Sequence, residues 1–306
     1  MSRPIVARHL FDFDPILSGW NKISVSAGPS HDVIVLALKQ PPEYRDKSGL
    51  SAKLFVDKPN NFRIHHLTAW GWNVIDLQET WQNLHYAQPL TQNQWIAVRA
   101  RSAGNTDGNG HLYSAQGNLL KTIVLGDGIR DVQTTIKGQI WVGYFDEGIF
   151  GGTTFGQAGL ACFDSGGALA FDFNSSTYLT SGMISDCYAF NTVSDSEIWL
   201  CPYTDFPIVQ IKNKHISKQW DNNPVHGSDA FAVWKDRVLF AGGYSERGKL
   251  FIVSLYRADG QELLREECSA GDENGDEVKF VSAFGRGSRL YLETDRSLYF
   301  LELQET

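Results

Sequence analysis

The stretch IRDVQTTIKGQIWVGYFDEG, residues 129–148, decides the fold. It opens on a short apolar run, turns at Lys137-Gly138 and continues into QIWVGYF (Gln139 to Phe145), where β-branched and aromatic residues dominate. Two such runs joined by a short polar turn read as a β-hairpin. Working outward, similar runs recur as DVIVLAL (Asp32 to Leu38), QWIAVRA (Gln94 to Ala100), EIWLCPY (Glu197 to Tyr203), RVLFAGG (Arg237 to Gly243) and SRLYLET (Ser288 to Thr294). With the opening run in its place, successive starts lie 62, 45, 58, 40 and 51 residues apart. Most are preceded by a shorter apolar strand and a polar turn, as in ISDCYAFNTVSDS, GSDAFAVWKD and VKFVSAFGRG. Two further strands follow, as in GLACFDSGGALAFDF.

Four-stranded antiparallel units at such a period specify an all-β chain of the β-propeller type, with about six blades that stack face to face and bury both surfaces of each sheet. That burial accounts for a chain holding 9 Trp, 11 Tyr and 18 Phe. The expected blades span approximately 20–70, 83–126, 129–175, 184–221, 226–268 and 278–303. The last unit stops at SLYFLEL after three strands, while IVARHLFDF (Ile5 to Phe13) begins the chain as an unassigned strand. Residues 5–13 are therefore expected to complete the last blade, remove an exposed edge and make residues 1–306 one domain. Seven blades or a two-sheet sandwich are the alternative arrangements of these strands. One helix is predicted, over Asp76 to His85, where Asp76 and Glu79 suit a capping box and Leu77, Trp81 and Leu84 share a face.

Composition narrows the partners. The net charge of −8 and the lack of any Lys/Arg run argue against nucleic acid or an anionic membrane, since either would be repelled. Asp12 and Asp14 interrupt the region where a secretory peptide needs an apolar core, and VIVLAL is too short to span lipid, so a cytoplasmic protein is expected. Cys162, Cys187, Cys201 and Cys268 have no metal-ligand spacing and read as free thiols, with Cys187 and Cys201 facing each other at most across a hairpin.

The stretch from Gly126 to Gly151 resembles a blade of bacterial propellers of the two-component-regulator and YVTN-like repeat type, and of an uncharacterised bacterial propeller group. The likeness extends through Ile184 to Tyr203 and Ala230 to Tyr244. It implies the fold and no activity, because those families share architecture and bind varied partners. WD40 repeats match less well, with Trp220-Asp221 the single Trp-Asp pair.

A recurring pattern marks one rim. Asp131, Asp186 and Asp229 each open a first strand, and the second strands end in Tyr144-Phe145-Asp146, Tyr203-Thr204-Asp205 and Tyr244-Ser245-Glu246. Two carboxylates about 6 Å apart at an effective dielectric of about 20 repel by about 3 kcal/mol, so such a rim favours positive charge. Arg99 and Arg101, with Lys39, Arg45 and Lys47, occupy the equivalent places in the preceding blades. The expectation is a polarised mouth that binds an unidentified protein, peptide or small molecule without catalysis; the plainer alternative is that each Asp and Tyr-x-acid only closes a turn. The enzymatic alternative is a metal-dependent ester or lactone hydrolase with a divalent cation, such as calcium, held by Asp131, Asp186 and Asp229.

Other motifs lead nowhere further. NTDGNG (Asn105 to Gly110) resembles a calcium loop but has Asn first and Gln116 in place of the closing Glu. GDENGDE (Gly271 to Glu277) reads as a solvated loop. GYSERGKL lacks the hydroxyl and helix of a phosphate loop. His226 is a candidate base at the rim, His65 and His66 point to opposite faces of one strand, and His85 and His111 have no evident partner.

Overall fold

The six recurring runs each become the second strand of a four-stranded antiparallel sheet, and in nearly all of them the core of the run is wholly buried. Val33–Leu38, Trp95–Val98 and Ile140–Tyr144 expose no residue, because a second strand is covered on both faces by neighbouring sheets. Fourth strands show the opposite pattern: Leu119–Ile123, His215–Trp220 and Arg265–Cys268 are mostly exposed. The chain is thus an all-β propeller of six four-stranded blades. The computed structural model describes residues 4–45, 49, 52–176, 182–255 and 263–304, and Lys47 lies outside them.

The chain divides into two compact units. Within Leu17–Asp186, blade 1 contains Asn21–Ala27, Val33–Leu38, Phe62–Thr68 and Gly71–Asp76. Blade 2 contains Tyr86–Pro89, Trp95–Val98, Gly110–Tyr113 and Leu119–Ile123. Blade 3 contains Ile129–Thr134, Ile140–Tyr144, Leu160–Phe163 and Leu169–Asp172. First strands are laced together by buried polar groups: Gln88 donates to Ser26 Oγ, Tyr86 donates to the Arg130 carbonyl at 2.6 Å, and Thr134 donates to the Pro89 carbonyl at 2.7 Å. Each bond satisfies a group that burial would otherwise leave unpaired.

The other unit comprises Met1–Ile16 and Cys187–Thr306. Blade 4 runs through Asp186–Thr192, Glu197–Tyr203, Ile208–Lys212 and His215–Trp220, starting one residue before the boundary. Blade 5 is Phe231–Trp234, Arg237–Ala241, Leu250–Ser254 and Arg265–Cys268. Blade 6 takes Ser282–Arg286, Arg289–Glu293 and Ser297–Glu302, and its fourth strand is the N-terminal Arg8–Asp12. The antiparallel register runs from Arg8 opposite Phe300 to Asp12 opposite Ser297. Asn191 is fully buried and fastens this unit internally: it donates to the carbonyls of Phe231 and Gly287 and accepts from the Gly287 amide.

The predicted helix over Asp76 to His85 does not form. Asp76 ends a strand, and Thr80–Gln82 is itself a strand paired with Phe55–Asn60. Leu77 and Leu84 are buried while Trp81 is exposed, so the three do not share a face. The Asp76 carboxylate binds Arg63 at 2.6 and 2.9 Å instead of capping a helix, and the guanidinium holds its pKa below the ordinary value. Phe55–Asn60, inserted between the second and third strands, carries blade 1 to Asp76, beyond the expected end near residue 70.

Candidate functional site

Within the unit of residues 187–306, two of the three Tyr-x-acid motifs come together. The hub is Phe206, buried beneath four rings: its centroid lies 5.1 Å from Tyr188, 5.8 Å from Tyr203, 5.4 Å from His226 and 5.7 Å from Tyr244. Edge-to-face geometry dominates, with His226 stacked nearly parallel on Phe206 at 24°. Tyr203 and Tyr244 remain 40% and 50% exposed, an unusual state for rings in an ordered cluster. Sequence reasoning missed Tyr188 and Phe206; the available signal was Phe206 directly after Tyr203-Thr204-Asp205.

The backbone is shaped to present these rings. Phe206 and Tyr244 have φ of 52° and 44°, a left-handed conformation that costs a bulky residue on the order of 1 kcal/mol or more. The loop from His226 to Asp229 lies against Tyr244: a β-carbon on Gly227 would stand 2.7 Å from that ring, and one on Gly243 would stand 1.9 Å from the Gly227 carbonyl oxygen. Asp205 and Asp229 are exposed beside these aromatic residues in sequence. Glu246 is tied to Arg265 at 2.5 and 2.9 Å, a pairing that lowers its pKa.

The remaining site candidates fall within residues 17–186 and behave differently. Asp131 opposes Gly143, so it and Tyr144 do share one end of their hairpin. Tyr144, however, is completely buried and donates its hydroxyl to the Leu125 carbonyl. The Asp131 carboxylate accepts from the Val132 amide and the Gln133 side chain, and Asp146 accepts from the Glu147 amide at the start of the short helix Asp146–Phe150. Asp186 opens the first strand of blade 4 and is half-buried. Among the described residues, no group of three or more His, Cys, Asp or Glu side chains gathers to hold a metal ion. In NTDGNG, the Asn105, Asp107 and Asn109 side-chain oxygens accept from Thr154, Ala103 and Leu125 amides, which turns them toward the protein.

Arg99 and Arg101 separate. Arg99 is fully buried, bound to Asp107 at 2.7 Å, and covered by the Phe55 ring. Arg101 reaches a cleft of about 660 Å³, with Tyr44, Arg45, His85, Phe145 and Glu147 among its walls. Its guanidinium grips Asp127 at 2.9 and 3.1 Å and Glu147 at 2.5 Å. His85, without an evident partner in the sequence, accepts the Ala100 amide on Nδ1 and packs 4.4 Å from the Tyr44 ring.

Burial, reinforced by the charge of Arg99, pushes the pKa of His111 down to about 4, and burial does the same to His85. Folded, both rings stay neutral to about pH 4; unfolded, they protonate near 6.5. Between these values the unfolded chain binds more protons, so their contribution to stability is complete above about pH 6.5 and declines toward pH 4. The melting temperature is expected to fall from pH 7 to pH 5, and His111→Leu to flatten that slope. An unaltered slope in the variant would contradict a buried neutral ring at this position.

The YxzG family model matches residues 160–301. No curated protein matches the chain. Solved structures similar in fold include the RRP9 WD40 repeats, at 9% identity and a TM-score of 0.51 over 99% of both chains. YCF48 bound to a D1 peptide aligns at 11% identity and 0.48 over 99% of this chain and 98% of that one. A streptogramin B lyase aligns at 11% and 0.47 over 96% of each. At 9% identity the likeness to the RRP9 repeats speaks for the propeller fold alone.

Proposed function

We propose that this chain is a non-catalytic binding propeller of the cell interior whose aromatic and acidic surface around Tyr203 and Tyr244 takes a cationic segment of a peptide or protein. The observation that carries this reading is the cluster centred on Phe206, which holds two half-exposed tyrosines and His226 on a costly backbone. Tyrosine faces attract ammonium and guanidinium groups, and Asp205 and Asp229 add charge of the sign such a segment requires. The overall charge of −8 favours the same encounter.

Fluorescence anisotropy of a labelled Lys/Arg-rich dodecapeptide and its Glu-rich counterpart tests the proposal. The basic peptide is expected to bind and the acidic one not to. Tyr203→Ala and Tyr244→Ala are each expected to weaken binding about tenfold. Trp70→Ala, at a 97% exposed ring in the other unit, should change nothing. Equal affinity for both peptides, or full affinity in the tyrosine variants, would refute the assignment.

A further inference from the structure

A cleft within residues 17–186 stands apart in sequence from the aromatic surface. We propose that the cleft between Arg45, His85 and Arg101 binds a small molecule bearing an oxyanion, a carboxylate or a phosphate, whose oxygens take the position Glu147 occupies on Arg101.

Size comes first. A cleft of about 660 Å³ is in the range that encloses a metabolite-sized ligand. Its chemistry is mixed, with the Tyr44 and Phe145 rings and Leu54 offering apolar wall and, among the described residues, the Arg45 and Arg101 guanidiniums beside the Glu147 carboxylate.

The donors are specific. Because His85 Nδ1 accepts the Ala100 amide at 3.2 Å, the ring proton sits on Nε2. Burial keeps the ring neutral, outweighing a hydrogen bond to the Asn83 backbone, so at physiological pH it lines the cleft as a neutral polar group and not a variable charge. Arg45 is exposed, lines the cleft and, among the described residues, gives one N–H to the Gly49 carbonyl at 3.3 Å. Arg101 is held from behind by both oxygens of Asp127, which fixes the guanidinium plane and leaves Nη1 as the corner it gives to Glu147. Guanidinium groups recognise planar oxyanions through such forks.

Glu147 acts as the resident occupant of that corner. Its side chain is 62% exposed, so it is free to swing into water when another oxyanion arrives. Arg99 supports the choice of sign. It is entirely buried close enough to His85 to affect its ionisation, and Nε and Nη1 have no hydrogen-bond partner among the described residues. Among the described residues its ion-pair partner is Asp107, so added negative charge in the vicinity is favoured.

Calorimetric titration of the full chain with benzoate and, separately, inorganic phosphate at low ionic strength provides the test. Binding of benzoate alone assigns a carboxylate ligand, binding of phosphate alone a phosphorylated one, and binding of both supports the shared oxyanion chemistry. Glu147→Gln is expected to tighten binding about tenfold by removing the competitor, and Arg45→Gln to weaken it about tenfold. Both positions are exposed, and opposite shifts cannot arise from partial unfolding. No heat with either probe, or a Glu147→Gln protein that binds no tighter than the parent, would overturn the proposal.

Discussion

Gly243→Ala is expected to lower the melting temperature by roughly 10 °C and to abolish binding of the basic peptide together with it. The cause is a backbone collision. A β-carbon at Gly243 would lie 1.9 Å from the Gly227 carbonyl oxygen, 2.0 Å from its carbon and 2.5 Å from the Ser228 nitrogen, and no rotamer change relieves contacts with main chain. The loop must move, and it carries His226, which stacks on Phe206, and Gly227, which lies against Tyr244. Stability and site are therefore coupled at one residue. A melt by circular dichroism with anisotropy on the same sample separates the possibilities: an unchanged melt with intact binding would mean that the approach of these two loop segments is not required.

Phe13→Ala should cost about 3–5 kcal/mol, with a comparable drop in melting temperature. Phe13 is buried, packs edge-on to Phe11 at 5.4 Å, and follows the strand that completes blade 6. Its amide donates to the Arg296 carbonyl at 2.7 Å, and Asp12 accepts from Ser297 at 2.6 Å. Loosening this strand uncovers Ser297–Glu302 as an edge, so the variant is also expected to scatter light on warming. Val6→Ala, at a 54% exposed position in the same segment, is the control and should be nearly neutral. A Phe13→Ala loss below about 1 kcal/mol would show that the N-terminal strand does not hold blade 6 together.

Much of the architecture was legible because burial on two faces imposes a continuous apolar run, and six such runs recur at intervals of 40 to 62 residues. The completion of blade 6 by residues 8–12 followed from counting strands, since a three-stranded last unit and an unassigned first strand match in number. The error at Asp76 to His85 has an equally local cause. Helical spacing of Leu77, Trp81 and Leu84 looked amphipathic, but Leu77 and Leu84 are held by tertiary packing while Trp81 faces solvent.

The functional pattern was only partly readable. Three copies of Tyr-x-acid are equivalent as sequence, yet Tyr144 is buried with its hydroxyl on Leu125, whereas Tyr203 and Tyr244 are half exposed around Phe206. Likewise Arg99 and Arg101, two residues apart just after the Trp95–Val98 strand, end in different surroundings, one sealed under Phe55 and the other lining a cleft. The amino-acid sequence by itself determined the all-β class, the four-strand repeat, the six blades and their N-terminal closure, because these depend on local periodicity and turn chemistry. Only the tertiary structure decided which repeated side chains reach water, because exposure depends on the insertions, loops and left-handed residues around each strand end, and these differ from blade to blade.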